Sequence, residues 1–347
     1  WIKELLGLPA TASVALTTGT QMAHVTALGA ARHGVLARRG WDVEADGLTG
    51  APPVRVLVGA DRHTTVDAAV RLLGLGVRRM TVVDTDERGR MRPDALRAAL
   101  AAGDGPAIVV AQAGEINTGS FDPLADICAA GREHGAWVHV DGAFGLWAAV
   151  SASPRRRALL AGVAEADSWA TDGHKWLNVP YDCGIAIVAD SAAHRQAMTS
   201  RAAYLVHAAD GELDPLDWSP EFSRRARGFA LYAALRSLGR AGLTDLVDRC
   251  CDHARRFAAR LADIPGVRVL NEVELNQVLV RVDDDDATTA AVTAAVTAGG
   301  EAFVTGTVWR GRTAMRVSVS NWLTADEDVD RAVAVIAEAV RQARDGR

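Results

Sequence analysis

The sequence predicts an α/β protein built on a mostly parallel sheet covered on both faces. Three observations carry this. Short apolar runs of strand length alternate with helical patterns at the spacing of βα units. One run, Ala107–Gln112, is apolar at nearly every position, as a strand buried on both faces must be. The polar residues that stand out all fall where such strands end, the edge at which open α/β sheets bind ligands. Past residue 240 the pattern shifts to antiparallel-type strands with helices on one side. The chain therefore divides into a large unit, 1–240, and a small α+β unit, 241–347.

The 347 residues suffice for two such units. A net charge of -5 with no basic stripe argues against a nucleic-acid partner. No apolar run reaches the roughly 18–20 residues of a membrane helix, and no signal peptide is visible. Of the four cysteines, Cys250 and Cys251 are adjacent, a spacing that suits neither a disulfide framework nor a zinc site. They read as reduced thiols in a cytoplasm.

Taken in order, residues 1–8 read as the end of a helix stopped by Pro9. Val14–Gln21 passes through a Gly/Thr turn into an Ala-rich helix, Met22–Arg38. Free N–H groups and the helix dipole at such a turn favour a phosphate, although a plain N-cap has the same look. A loop rich in Gly, Pro and Asp (39–53) precedes a strand at Val54–Val58, which ends at Gly59–His63 before a helix over Thr64–Leu73. A strand at Arg79–Val83, a polar loop, a helix at Pro93–Ala101 with proline in its first turn, and the strand Ala107–Gln112 follow. After the loop Ala113–Pro123 come a helix to His134 and the strand Trp137–Asp141. Pro154–Arg157 reads as a solvated basic face. The strand of Ser168–Asp172 leads to His174-Lys175, and Gly184–Ala189 is a further strand. Residues 190–220 lack periodicity. An apolar helix follows Ser223–Arg227. The remainder reads as a helix at 243–263, strands near 267–270 and 276–282, a helix at 287–298, strands near 303–308 and 313–319, and a helix at 325–343. The acidic run Asp283–Asp286 reads as a solvated turn.

Two of these strand ends carry chemistry together. One delivers Asp141, and the next delivers Lys175. A lysine that can hold an aldehyde as a Schiff base, beside an acid that can keep a pyridine nitrogen protonated, is what a pyridoxal phosphate (PLP) site requires. Taken singly, an Asp at a strand end is usually a cap and a Lys usually a solvated charge. Their order and context favour the site.

The segment Asp172-Gly173-His174-Lys175-Trp176-Leu177-Asn178-Val179-Pro180-Tyr181-Asp182-Cys183-Gly184 resembles the lysine signature of the group II pyridoxal-dependent amino-acid decarboxylases. The resemblance runs over nearly the whole chain. It implies the fold type I, aspartate aminotransferase-like architecture of PLP-dependent transferases and a homodimer with the site at its interface. It carries Gly19, Thr20 and Gln21 over as the phosphate loop, His63 as the histidine stacked on the ring, and Asn117 and Thr118 as residues of the loop under the cofactor. Asp141 becomes the partner of the ring nitrogen. Ala143, Asp172 and His174 join Lys175 as cofactor contacts. Tyr204, in a loop that closes over substrate in the decarboxylases, becomes the proton donor; a phenylalanine there would favour an oxidative, aldehyde-forming route. Glu115 stands where Thr or Asn is common, and either approaches the ring oxygen or faces water. His24 stands where Asn is common and is left unassigned. Family members carry a segment ahead of the position of Trp1 that packs on the partner subunit, and this chain is expected to lack it.

The implied activity is PLP-dependent decarboxylation of an L-amino acid to its amine and CO₂. An aromatic substrate is favoured; glutamate and diaminobutyrate stay open. Transamination, carbon–carbon lysis and a catalytically idle homologue or fragment are the alternatives, and intact Lys175, Asp141, His63 and Tyr204 speak against the last. No metal is expected.

Overall fold

The computed structural model describes residues 1–200 and 214–345. A seven-stranded sheet organises the large unit. Its strands are β1 (Ser13–Thr17), β2 (Arg55–Gly59), β3 (Thr81–Val83), β4 (Ala107–Gln112), β5 (Trp137–Asp141), β6 (Ser168–Asp172) and β7 (Gly184–Val188), in the order β1-β7-β6-β5-β4-β2-β3. The run from β3 to β6 is parallel throughout. β7 alone opposes its neighbours, pairing antiparallel with β6 and β1. β4, β5, β6 and β7 are buried at every position, which explains their continuous rather than alternating apolar character.

β1 was not expected as a strand. Its sequence is short and half-polar, and it pairs only because β7 offers a free edge in register Ser13↔Val188. The helix Thr20–Ala37 crosses the sheet beneath β5, β6 and β7, and its buried face is mostly small, with Ala23, Ala27, Ala30 and Ala31 fully enclosed. Small side chains bring this helix close to the sheet, so its N-terminus arrives at the carboxyl ends of β5 and β6. At that point Gly184 lies against Gly19: a Cβ on Gly184 would come within 2.3 Å of the Gly19 carbonyl carbon, so only glycine allows the approach.

Three tryptophans fill the space around the site strands. Trp147, Trp169 and Trp176 are fully buried. Removing about 200 Å² from water stabilises the fold by roughly 5 kcal/mol for each. Their polar ends do local work as well: Trp169 Nε1 donates to the Val163 carbonyl at 2.8 Å and Trp147 Nε1 to the Asp172 carbonyl at 3.0 Å. The second bond fixes the backbone just ahead of Lys175.

The small unit is a four-stranded antiparallel sheet, β8 (Val267–Val269), β9 (Gln277–Val282), β10 (Thr305–Trp309) and β11 (Arg312–Ser318), in the order β10-β11-β9-β8, packed against the helices Asp286–Gly299 and Arg227–Ala262, with the helix Asp326–Asp345 lying on those two helices. A single long helix, Arg227–Ala262, joins the units. It breaks its helical geometry only at Gly239, whose φ of 60° lies in the left-handed region.

Three local expectations are corrected. Ser191–Met198, inside the stretch read as aperiodic, is a helix capped by Asp190, which accepts from Ala193 N–H at 3.0 Å. Arg156 of the basic cluster is buried, and its guanidinium pairs with Asp248 at 2.6 Å and with Asp252. The acidic run is not simply solvated: Asp284 takes Arg268, Arg281 and Arg312, and Asp286 takes Arg281. Spacing along a chain cannot reveal cations that arrive from other elements.

Candidate active site

β5 and β6 run side by side and end together, and the chain direction puts Asp141 and Lys175 at the same edge of the sheet. Lys175 lies three residues past the end of β6. Its Nζ is 3.2 Å from Asp172 Oδ2. Asp172 is buried, and the same oxygen accepts from the Thr20 hydroxyl at the start of the long Ala-rich helix; Oδ1 has no hydrogen-bond partner among the described residues. His174 Nε2 stands 3.6 Å from Asp172, while its Nδ1 accepts Cys183 N–H at 3.0 Å and its ring stacks on Tyr181 at 4.2 Å. Burial lowers the His174 pKa.

Asp141 is enclosed at the end of β5. Its Oδ1 accepts Ala143 N–H at 3.2 Å, and its Oδ2 lies 3.4 Å from His24 Nε2. Burial alone would raise its pKa. His24, whose Nε2 faces it, and the Lys175 charge outweigh burial and hold the carboxyl well below the usual carboxylate range, so it is ionised at neutral pH. Ala143 contributes backbone only: its carbonyl accepts Asp172 N–H at 3.0 Å, tying the end of β5 to the end of β6.

His63 caps the helix Thr64–Leu72. Its Nδ1 accepts Thr65 N–H at 3.3 Å and faces the Thr65 hydroxyl at 2.8 Å, which leaves the ring proton on Nε2. Burial lowers its pKa, helped by Lys175, His24 and Arg316 and opposed by Asp141, so the ring is neutral near pH 7. At the long helix's start, the first backbone bond runs from Ala23 N–H to the Gly19 carbonyl at 2.9 Å. The N–H groups of Thr20, Gln21 and Met22 lie before that bond and stay outside the helical ladder.

The loop after β4 behaves differently from expectation. Glu115 does not face water. It is buried and accepts from Asn117 N–H (2.9 Å), Asn117 Nδ2 (2.7 Å), Thr118 N–H (2.8 Å) and the Thr118 hydroxyl (3.0 Å). Burial still raises its pKa against these bonds. Asn117 and Thr118 thus spend donors on the loop itself. Asn117 Oδ1 accepts the Thr307 hydroxyl at 2.7 Å and the Thr118 carbonyl accepts Asn271 Nδ2 at 2.8 Å, so the loop is pinned to the small unit.

One basic group was missed. Arg316 on β11 is half-buried, has no ion pair among the described residues, and leaves Nε without a partner; its field reaches His63, and Glu115 acts on it in turn. Its signal was a lone arginine between the apolar Met315 and Val317 inside a strand pattern. The cleft before Lys175 has a volume of about 580 Å³ and is lined by side chains of both units, among them Ile116, Phe144, Tyr181 and Trp322. Tyr204 lies outside the described residues.

The profile described as the pyridoxal-dependent decarboxylase conserved domain matches residues 1–283. The chain belongs to the pyridoxal-dependent decarboxylase family. Among its relatives, the mouse acidic amino acid decarboxylase GADL1 is 33% identical over 245 residues, 68% of this chain and 44% of that protein. The aromatic-L-amino-acid decarboxylase of Bacillus atrophaeus is 29% identical over 291 residues, 81% of this chain and 57% of that one. The chain thus spans about half the length of these relatives. A crystal structure of Oryza sativa TDC with PLP and tryptamine superposes with a TM-score of 0.90 at 24% identity, over 99% of this chain and 74% of that one, and shares its fold.

The cofactor of a pyridoxal-dependent decarboxylase is PLP, and the residues present fit it. An ionised, buried carboxylate, a lysine amine on the adjacent strand, and free N–H groups at a helix start make a complementary donor set for a protonated ring nitrogen, an aldehyde and a phosphate. The orphaned Asp172 Oδ1 beside them is a buried acceptor that the protein leaves open.

Proposed function

We propose that this protein decarboxylates an L-amino acid to its amine and CO₂, with PLP held through its aldehyde on Lys175. The observation that carries the reading is the pair Asp141 and Lys175 at the carboxyl ends of adjacent parallel strands, with Asp141 kept ionised in a closed pocket. When bound, PLP supplies a sink for the electron pair of a bond broken at the substrate Cα. The protein's own residues supply the rest. Asp141 holds the proton on the ring nitrogen. His63, neutral, offers its face to the ring and Nε2–H to the substrate side. The N–H groups of Thr20 and Gln21, with Gly19 allowing close approach, hold the phosphate. Asp172 and His174 set the position of the Lys175 amine. Arg316, a half-buried cation lacking a counterion among the described residues, receives the substrate carboxylate and fixes which bond at Cα faces the sink. Tyr204, by its place in the resemblance, returns a proton to Cα.

The substrate we infer is an aromatic amino acid. In its support, the cleft wall carries Phe144, Tyr181 and Trp322, and among the described residues its only lysine is Lys175, with no arginine on the wall to take a second carboxylate. The 33% identity to an acidic amino-acid decarboxylase favours an acidic substrate instead. A panel of aromatic, acidic and diamino acids assayed for CO₂ release separates the two: aromatic turnover is expected, and release from glutamate or cysteine sulfinate alone would overturn the choice.

The same reading makes the protein a homodimer with its site at the subunit interface, working in the cytoplasm, with its large and small units meeting at 240/241. The break at Gly239 supports that boundary. All four cysteines are free and buried, and burial pushes the Cys128 and Cys251 thiols up to about 12, in keeping with unreactive thiols in a reducing compartment. No described helix is long and apolar enough to cross a membrane.

A further inference from the structure

Behind Asp141 a line of buried polar groups runs into the core. Asp141 Oδ2 stands 3.4 Å from His24 Nε2, His24 Nδ1 is 2.9 Å from His139 Nε2, His139 Nδ1 is 2.8 Å from Ser168 Oγ, and Trp137 Nε1 donates to Ser168 Oγ at 2.9 Å. His24, His139 and Ser168 are fully enclosed. Three elements supply the line: the long Ala-rich helix gives His24, β5 gives Trp137, His139 and Asp141, and β6 gives Ser168.

Proton counting along this line has one neutral solution. The Trp137 indole can only donate, so Ser168 Oγ accepts there. The single proton of Ser168 then goes to His139 Nδ1, the other partner within reach. His139 must therefore carry its proton on Nε2 and donate it to His24 Nδ1. His24 in turn carries its proton on Nε2, the nitrogen that stands 3.4 Å from Asp141 Oδ2 and has no other partner among the described residues. The reverse direction would strand the Ser168 proton in a closed pocket and turn a bare nitrogen toward an anion, each leaving a buried polar group unsatisfied. Burial also pushes the His139 pKa down to about 3, so that ring is neutral.

We propose that His24, His139 and Ser168 form a neutral, one-directional relay that positions Asp141 and gives it a proton donor without giving it a counter-charge. The inference rests on the PLP reading of Asp141. A protonated His24 would satisfy the carboxylate by itself and weaken its pull on a ring nitrogen. A neutral His24 orients the carboxylate and leaves its charge for the cofactor, alongside Lys175 and His63, the other groups facing it. His24 and His139 are thus positioning residues, and His24, unassigned from sequence, gains a role.

Isotope-edited histidine NMR on the intact protein without PLP tests this directly. His24 and His139 are expected to be neutral at pH 7, both with the proton on Nε2, and Ser168→Ala is expected to shift the His139 tautomer signature. A doubly protonated His24, or a proton on Nδ1 of either ring, overturns the proposal. PLP titration supplies a second reading. His24→Leu is expected to bind PLP roughly tenfold more weakly, while His24→Gln, whose amide can stand in for Nε2–H, recovers most of that loss. Equal weakening by both variants, or none by His24→Leu, also overturns it. The tautomers are read without cofactor or substrate, so a protein with the relay intact but no CO₂ release rejects the decarboxylase reading alone.

Discussion

Thr20→Val removes one hydroxyl and leaves the shape of the side chain and the backbone N–H groups of the helix start in place. The Thr20 hydroxyl donates to Asp172, a group only 1% exposed whose other oxygen has no hydrogen-bond partner among the described residues. After the substitution Asp172 keeps the Lys175 amine at 3.2 Å and the more distant His174 at 3.6 Å. No water-facing route relieves the loss. A hydrogen bond to a charged group contributes about 1.5–3 kcal/mol, and for a chain of this size each kcal/mol shifts the midpoint by about 1.4 °C. The protein without PLP should therefore melt about 2–4 °C lower by circular dichroism. Thr20→Ser, which keeps the donor, should melt close to the wild type. Because the phosphate donors are main-chain, PLP affinity should fall far less than for a variant that loses Lys175. A Thr20→Val protein that melts with the wild type would refute the claim that this hydroxyl holds Asp172.

The remaining expectations concern attachment, product and pH. Lys175→Ala should lose the visible band of the PLP-loaded protein and the adduct that borohydride fixes to the chain; a retained adduct would place the attachment elsewhere. Tyr204→Phe should cut amine yield and release aldehyde and ammonia, and unchanged amine output counts against the proton-donor role. His194 is fully buried, its Nε2–H donating to the Trp218 carbonyl at 2.9 Å and its Nδ1 facing the Ser13 hydroxyl at 2.8 Å, and burial holds its pKa at about 4. The unfolded chain takes up that proton near pH 6.5, so stability is full above that pH and falls toward pH 4, by about 3 kcal/mol from this residue. His194→Phe should flatten the pH dependence of unfolding in that window even where it lowers stability overall; an unchanged slope would show that the imidazole does not stay neutral.

Much of the site was legible because PLP chemistry needs particular residue types at strand ends, and strand ends can be read from apolar runs. Asp141 and Lys175 needed only that, whereas His63 came from the resemblance. Parallel strands put successive carboxyl ends on one edge, so placing residues on strands was nearly equivalent to placing them together. The alternation of β4 through β6 with helices, and the bounds of several helices, followed from periodicity and from caps such as Pro93.

Tertiary structure decided the partners. Whether Glu115 faced water or the loop, whether Arg156 was solvated, and what the acidic run near Asp284 held all turned on side chains from remote positions, such as Arg312 for Asp284 and Asp248 for Arg156. Arg316 reads as an ordinary strand arginine until it is seen half-buried with no counterion among the described residues. His24 became interpretable only once the Ala-rich helix was found pressed against β5 and β6, within reach of His139 and Asp141. The sequence by itself determined which chemistry the sheet edge could hold, because residue type and strand polarity are local. The fold alone decided which charges were left unpaired and which proton donors stood behind them, because burial and pairing belong to contacts between segments far apart in the chain.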